Sequence, residues 1–306
     1  MKILVTGGAG YVGTELVSSL AQNDDVSSIV VYDNLSRGNF NTFLGTKIKG
    51  YKKVKFIEGD ILDTRLLKKN LEGVAIVYHL AAKVTTPFAN TDPHLFEQSN
   101  NWGTAELVYA IESSKVEKLI YLSSTSVYGA SDQRVNETSD LRPRTFYGIS
   151  KLRGEKHVER LLNQGRAVIL RCGNVYGYSK SMRFDAVINK FAFETNFFNR
   201  ITIQGSGQQS RAFIHINDLS QVLNALCCTE VKPDIYNLVM RNLTVLDLLD
   251  GFKKLRPSLE FIFVDQHLSL RNLEVETALY LNSQLDLPKV RPITNELSEF
   301  LNRFTF

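Results

Sequence analysis

The stretch "KILVTGGAGYVGTEL" (2–16) constrains the fold of this chain more than any other. An apolar run ends in a cluster of glycines, and apolar residues then recur at helical spacing. The glycines fit two templates: Gly8, Gly10 and Gly13 as GxGxxG, or Gly7, Gly10 and Gly13 as GxxGxxG. Either spacing meets the same physical need. The backbone must turn tightly, approach a diphosphate closely, and open a helix whose first N–H groups face the anion. The motif carries weight because it stands between a strand and a helix.

The next apolar run, "SIVVYDN" (28–34), carries Asp33 twenty residues after Gly13. A carboxylate there accepts hydrogen bonds from an adenosine ribose and repels a 2′-phosphate, which favours NAD over NADP. Arg37 nearby could accommodate that phosphate, but Asp33 at the strand end is the stronger signal. Alternation continues with a strand at 54–60, a helix near 64–71, a strand at 74–82, a long helix over about 92–114 and a strand at 118–124. Such repetition implies a parallel sheet covered on both faces, with ligands beyond the carboxyl ends of its strands. Asp60, "HLAA" (79–82) and "SSTSVYG" (123–129) should therefore face one crevice.

"TFYGISKLRGEK" (145–156) places Tyr147 and Lys151 four residues apart at the start of a helix, hence on one face. A neighbouring cation favours the phenolate. Moving a tyrosine from about 10 to about 7 needs roughly 4 kcal/mol of differential stabilisation.

At 306 residues, 43% hydrophobic and 22% charged, the chain has room for one large α/β domain or two lobes. Net charge is +4, and "KIKGYKKVK" (47–55) is short and interrupted, so it reads as a solvated loop and not a nucleic-acid groove. Cys172, Cys227 and Cys228 form no metal spacing, so we expect no metal and reduced thiols in a cytoplasmic protein. No leader segment and no membrane-length apolar run is read, and no membrane partner is expected.

Several further motifs follow in order: "DNLSRGN" (33–39), "GDILD" (59–63), "HLAAK" (79–83), Asn100 with "GT" (103–104), "RCGNVYG" (171–177) and "RAFIHINDL" (211–219). With the glycine loop and the Tyr147–Lys151 pair, they make the chain resemble an extended short-chain dehydrogenase/reductase of the nucleotide-sugar epimerase/dehydratase kind. The resemblance implies a Rossmann-type doubly wound parallel sheet with a smaller mixed α/β substrate lobe. The expected division is 1–175 for the NAD-binding domain, with a return near 213–235, and 176–212 with 236–306 for the substrate lobe.

The resemblance also implies roles. Tyr147 is the acid/base, Lys151 binds the nicotinamide ribose, and Ser124 holds the reacting hydroxyl. NAD falls to Gly7, Gly10, Tyr11, Val12, Gly13, Asp33, Asn34, Ser36, Asp60, Ile61, Leu80, Ala81, Ala82, Lys83 and Asn100, besides Tyr147 and Lys151. The nucleotide-diphosphate sugar falls to Thr85, Ser124, Thr125, Ser126, Asn174, Arg211 and Arg271. Two guanidiniums suit a diphosphate because each offers forked donors. Thr125 and Ser126 read equally well as turn caps.

The 4,6-dehydratases of this family carry an Asp-Glu pair where Thr125 and Ser126 stand, and decarboxylating members carry Glu at the Ser126 position. Neither carboxylate is present. A 4-epimerase is the leading reading, with a ketosugar reductase, another dehydrogenase of the superfamily or a non-catalytic NAD-binding regulator as alternatives. Relatives dimerise through helices near 92–114 and 145–164. Leu107, Val108, Ile111, Val158, Leu161 and Leu162 suit that bundle or packing on the sheet. The family's proline after "NVYG" is Tyr178 here. The Phe-rich segment 182–200 reads as a core helix, and His215 as a packing residue.

Overall fold

The computed structural model describes residues 1–84, 92–265, 272–277, 279–285 and 289–305. Its first half alternates as the pattern requires: β1 Lys2–Thr6, α1 Tyr11–Gln22, β2 Ser28–Asp33, β3 Val54–Glu58, α2 Thr64–Asn70 and β4 Ile76–His79. There follow α3 Pro93–Phe96, α4 Gly103–Glu112, β5 Lys118–Ser124, α5 Phe146–Leu162 and β6 Ala167–Cys172. The second half comprises β7 Asn174–Tyr176, α6 Val187–Phe198, β8 Arg200–Gln204, β9 Ser210–His215, α7 Ile216–Ala225 and β10 Ile235–Leu238. It ends with β11 Arg241–Thr244, α8 Val245–Leu255, β12 Glu260–Val264, α9 Leu279–Leu285 and α10 Ile293–Leu301.

Seven parallel strands form the main sheet in the order β10-β6-β5-β4-β1-β2-β3. The direction of winding reverses between β1 and β4, and that switch point opens a crevice above their carboxyl ends. Both faces are covered, which is why β1 and β6 are runs of buried residues with no alternation. Leu16 and Leu20 of α1 pack with Leu219 and Leu223 of α7 on one face. Leu67, Leu107, Val108, Ile111, Val158 and Leu161 from α2, α4 and α5 fill the other. The apolar residues of α4 and α5 are thus spent on the sheet, leaving Trp102 and Tyr109 exposed outside.

The long helix expected over 92–114 is broken by a π-helical turn, Glu97–Trp102. A single wide turn of this kind re-aims one side chain inward, here the fully buried Asn100. A separate core gathers Ile188, Phe191, Ile203, Leu248, Phe252 and Leu297. Beside it lie a three-stranded sheet, β11-β9-β7, and the parallel pair β12-β8. The helix in the Phe-rich segment spans Val187–Phe198, starting five residues later than its sequence limits. His215 caps α7, accepting from Asn217 N at 3.2 Å, and burial lowers its pKa to about 4, so it is neutral there. No helix of the described residues is long and apolar enough to cross a membrane.

Candidate active site

The crevice is lined from β1 round to β7. Gly7 has φ +70°, and a Cβ there would lie 2.6 Å from the Ala81 nitrogen, so the close pass of the β1 and β4 ends admits only glycine. A Cβ on Gly13 would lie 2.3 Å from the Gly7 carbonyl oxygen. With Gly10 at the N-cap making no side-chain bond, the first turn of α1 faces the crevice as an anion cradle. At the end of β2, Asp33 is steadied by Ala9 N at 3.0 Å and Leu35 N at 2.9 Å. Its burial pushes the carboxyl up, against those two hydrogen bonds. Cradle and carboxylate together fit a dinucleotide: diphosphate on α1, adenosine ribose on Asp33.

Fifteen of the expected cofactor residues line this crevice: Gly7, Gly10, Tyr11, Val12, Gly13, Asp33, Asn34, Ser36, Ile61, Leu80, Ala81, Ala82, Lys83, Tyr147 and Lys151. Asp60 stands just behind, accepting from Asn34 Nδ2 at 2.8 Å. Asn100 lies beneath the floor. Its Oδ1 accepts from Lys83 N at 2.8 Å, and its Nδ2 donates to Ser150 Oγ at 3.0 Å, tying the β4 exit to α5.

At the reacting end, Ser124 closes β5 and its Oγ accepts from Ser126 N at 3.1 Å. Thr145 caps α5 through Gly148 N at 3.1 Å, which brings Tyr147 into the first turn. Ser124 Oγ donates to Ser126 Oγ at 3.1 Å, and the hydroxyl stands close enough to Tyr147 to pull the phenol pKa down. Ser124, Thr125, Ser126 and Asn174 all line the crevice. Arg211 does not: it sits on β9 and donates back to the Ser210 carbonyl at 2.8 Å. Thr85 and Arg271 fall outside the described residues.

The charges are arranged differently from the sequence expectation. Lys151 is 2% exposed, and its Nζ lies 4.1 Å from the centre of the Tyr121 ring. Burial raises the Tyr147 pKa. The opposing influences are the nearby Ser124 hydroxyl and the positive charges of Arg183 and Arg37, not Lys151. These side chains alone therefore keep the phenol protonated.

Sequence reasoning weighed Arg37 only against a 2′-phosphate and gave Arg183 no role. Both line the crevice. Arg37 donates to the Val84 carbonyl, and Arg183 pairs with Asp185 at 2.8 Å. The one available signal was "DNLSRGN", which holds Arg37; no spacing pointed to Arg183.

Burial lowers the Lys151 pKa to about 7 from the ordinary 10.5, with Glu155 pulling the other way. Between these values the unfolded chain holds a proton that the folded chain has released, so stability rises with pH across that window. In NAD-free protein, wild type should gain about 3 kcal/mol on Lys151→Met between pH 6.5 and 9. Urea midpoints at the two pH values measure it, and no relative gain would mean that Lys151 stays charged.

Residues 3–238 match the model of the NAD dependent epimerase/dehydratase family. Over 246 residues the chain is 32% identical to dTDP-D-glucose 4,6-dehydratase of Homo sapiens, covering 78% of this chain and 68% of that protein. It matches UDP-glucuronic acid 4-epimerase from Bacillus cereus, solved with UDP-glucuronic acid and NAD, at TM-score 0.86 and 27% identity, covering 99% and 98% of the two chains. An NAD dependent NDP-hexosamine 5,6-dehydratase of tunicamycin biosynthesis matches at TM-score 0.84 and 26% identity, covering 98% and 96%.

Proposed function

The chain belongs to the NAD dependent epimerase/dehydratase family, its cofactor is NAD, and within that family we propose that it is a nucleotide-sugar 4-epimerase. The observation that carries this reading is the chemistry around the Ser124–Tyr147 pair. Among the described residues Asp33, at the far, ribose end, is the only Asp or Glu lining the crevice. Elimination of water needs an extra acid and base at the reacting carbon. Where dehydratases of the family hold carboxylates, this chain holds Thr125 and Ser126.

When bound, NAD supplies the hydride acceptor and donor, and a positively charged ring at the reacting end. Tyr147 Oη takes the proton of the sugar 4-hydroxyl and later returns it. Ser124 Oγ, held by Ser126 N, bonds the same oxygen as its charge changes. Lys151, buried under Tyr121, holds the nicotinamide ribose. Asn174 and Arg183 steady the diphosphate at the mouth, with Arg271, outside the described residues, as a further guanidinium. The flat 4-keto sugar turns over between Thr125, Ser126 and Val84 before reduction from its other face. The chain works as a homodimer joined through the outer faces of α4, where Tyr109 is exposed, of the π turn before it, where Trp102 is exposed, and of α5.

Proton NMR of the protein with UDP-glucose, UDP-N-acetylglucosamine, UDP-glucuronic acid or dTDP-glucose tests the reading. We expect a new anomeric signal from the C4 epimer of one of them. A 4-keto-6-deoxy product would replace epimerisation by elimination, and stoichiometric change in NADH absorbance would replace it by net reduction or oxidation.

A further inference from the structure

Residues 177–183, where the chain departs from the family pattern at Tyr178, run behind the glycine loop without lining the crevice until Arg183. Ser179 is fully buried and Ser181 is 1% exposed. The Ser181 hydroxyl donates to the Ala9 carbonyl at 2.9 Å and accepts from Thr14 Oγ1 at 3.0 Å. The Ser179 hydroxyl donates to the Tyr11 carbonyl at 3.0 Å and accepts from Ser181 N at 3.3 Å. In the other direction, Tyr11 Oη donates to the Gly177 carbonyl at 2.6 Å. Buried Asn189 closes the loop at both ends: Oδ1 accepts from Gly177 N at 3.0 Å, and Nδ2 donates to Tyr11 Oη at 3.1 Å and to the Arg183 carbonyl at 2.9 Å.

A trans peptide is planar, with its C=O and N–H antiparallel. A donor fixed on the carbonyl therefore aims the N–H of the same plane the opposite way. Ser179 grips the plane of Tyr11 and Val12, whose N–H opens the first turn of α1 to the cradle, and Ser181 that of Ala9 and Gly10, whose N–H closes the tight turn on the Gly7 carbonyl at 3.1 Å. Ala9 is held from its other side by Asp33.

We propose that Ser179 and Ser181 are positioning residues for NAD, setting cofactor affinity by fixing the peptide planes of the glycine loop from behind. Neither hydroxyl touches the cofactor site, so the effect is pure preorganisation. Through Asn189 the same strap fixes the backbone of Arg183, joining the cofactor cradle to the substrate mouth. The inference needs NAD as cofactor but holds whichever sugar is turned over.

The test is calorimetric titration of NAD into full-length protein stripped of nucleotide. Ser179→Ala should raise the NAD Kd about five- to tenfold, through loss of the hydroxyl that holds the Tyr11 carbonyl. Thr195→Ala is the control, because its buried hydroxyl in α6 has no hydrogen-bond partner among the described residues. It should leave the Kd within twofold, even where melting without NAD shows comparable destabilisation. Should circular dichroism show Ser179→Ala unfolded, Ser181→Ala, which releases the Ala9 carbonyl behind the turn, takes its place with the same expected rise. A Kd within twofold of wild type in the folded variant overturns the proposal, and leaves the 4-epimerase reading untouched.

Discussion

Replacing Tyr147 by Phe lowers turnover by about 10² to 10⁴ while NAD affinity changes only a few-fold. The range is that of one general acid/base removed from a reaction whose other groups remain in place. Phe keeps the ring, and with it the edge contact to Phe96 at 6.3 Å between centroids, so the first turn of α5 keeps its packing. What disappears is the Tyr147 hydroxyl beside Ser124, the group to which the proposed mechanism gives the 4-hydroxyl proton. Burial holds this phenol above its ordinary pKa, so little phenolate exists before the positive nicotinamide ring lies beside it. Steady-state kinetics with calorimetric NAD titration measure the split. Turnover within tenfold of wild type would remove Tyr147 from the chemistry.

The largest effect on stability is expected beneath that cluster. Glu155 and Arg171 are 0% and 2% exposed, and pair through Nη2 and Oε2 at 2.9 Å, with Nε also reaching the carboxylate at 3.2 Å. Ser123 donates to the same carboxylate at 2.5 Å, and Arg171 Nη1 donates to Tyr128 Oη at 3.1 Å. Through Ser123 the pair meets β5 next to Ser124, and Glu155 lies one helical turn from Lys151 along α5. Arg171→Met strands a carboxylate in the core and should cost about 3–5 kcal/mol. Replacing both partners with Met should recover a large part of that loss, because no unpaired charge remains. Urea denaturation of the two variants measures the difference. A loss below about 1 kcal/mol in the single variant would mean that water reaches Glu155.

The order of elements was legible because a sheet covered on both faces writes itself as repeated apolar runs between helical periods. Strand ends were less so. The run 54–60 stops pairing at Glu58, where Gly59 N turns to the Asp33 carbonyl at 3.1 Å. The run 74–82 pairs only over Ile76–His79, because Leu80 and Ala81 bend over Gly7. Both overshoots fall at the crevice, where the chain leaves the sheet to meet a ligand. The π turn at Asn100 had no signal, since its insertion is set by the contacts of Asn100 with Lys83 and Ser150.

Side-chain placement in the site was legible to the first order only. Spacing put Tyr147 and Lys151 on one face of α5, but could not show that the ammonium settles on the Tyr121 ring. Arg183 and the two serines before it stand in a polar loop that looks solvated in sequence. Their roles arise from tertiary contacts with the glycine loop and α1, 168 residues away in the case of Ser179, and from Asn189 closing the strap locally. Arg211 stood out in sequence by its place before "FIHI", and the fold sets it one strand away from the crevice wall.

The most direct test of 4-epimerisation is to run the reaction in D₂O with the accepted nucleotide sugar and read the product by proton NMR. A 4-epimerase returns the C4 hydrogen to the same carbon out of contact with solvent, so the product should be the C4 epimer with no deuterium bound to carbon. Deuterium at C5 or C6, or loss of the 6-hydroxyl, would contradict it, because either requires a proton to leave carbon for a second base, and among the described residues the crevice has no carboxylate besides Asp33 at its far end.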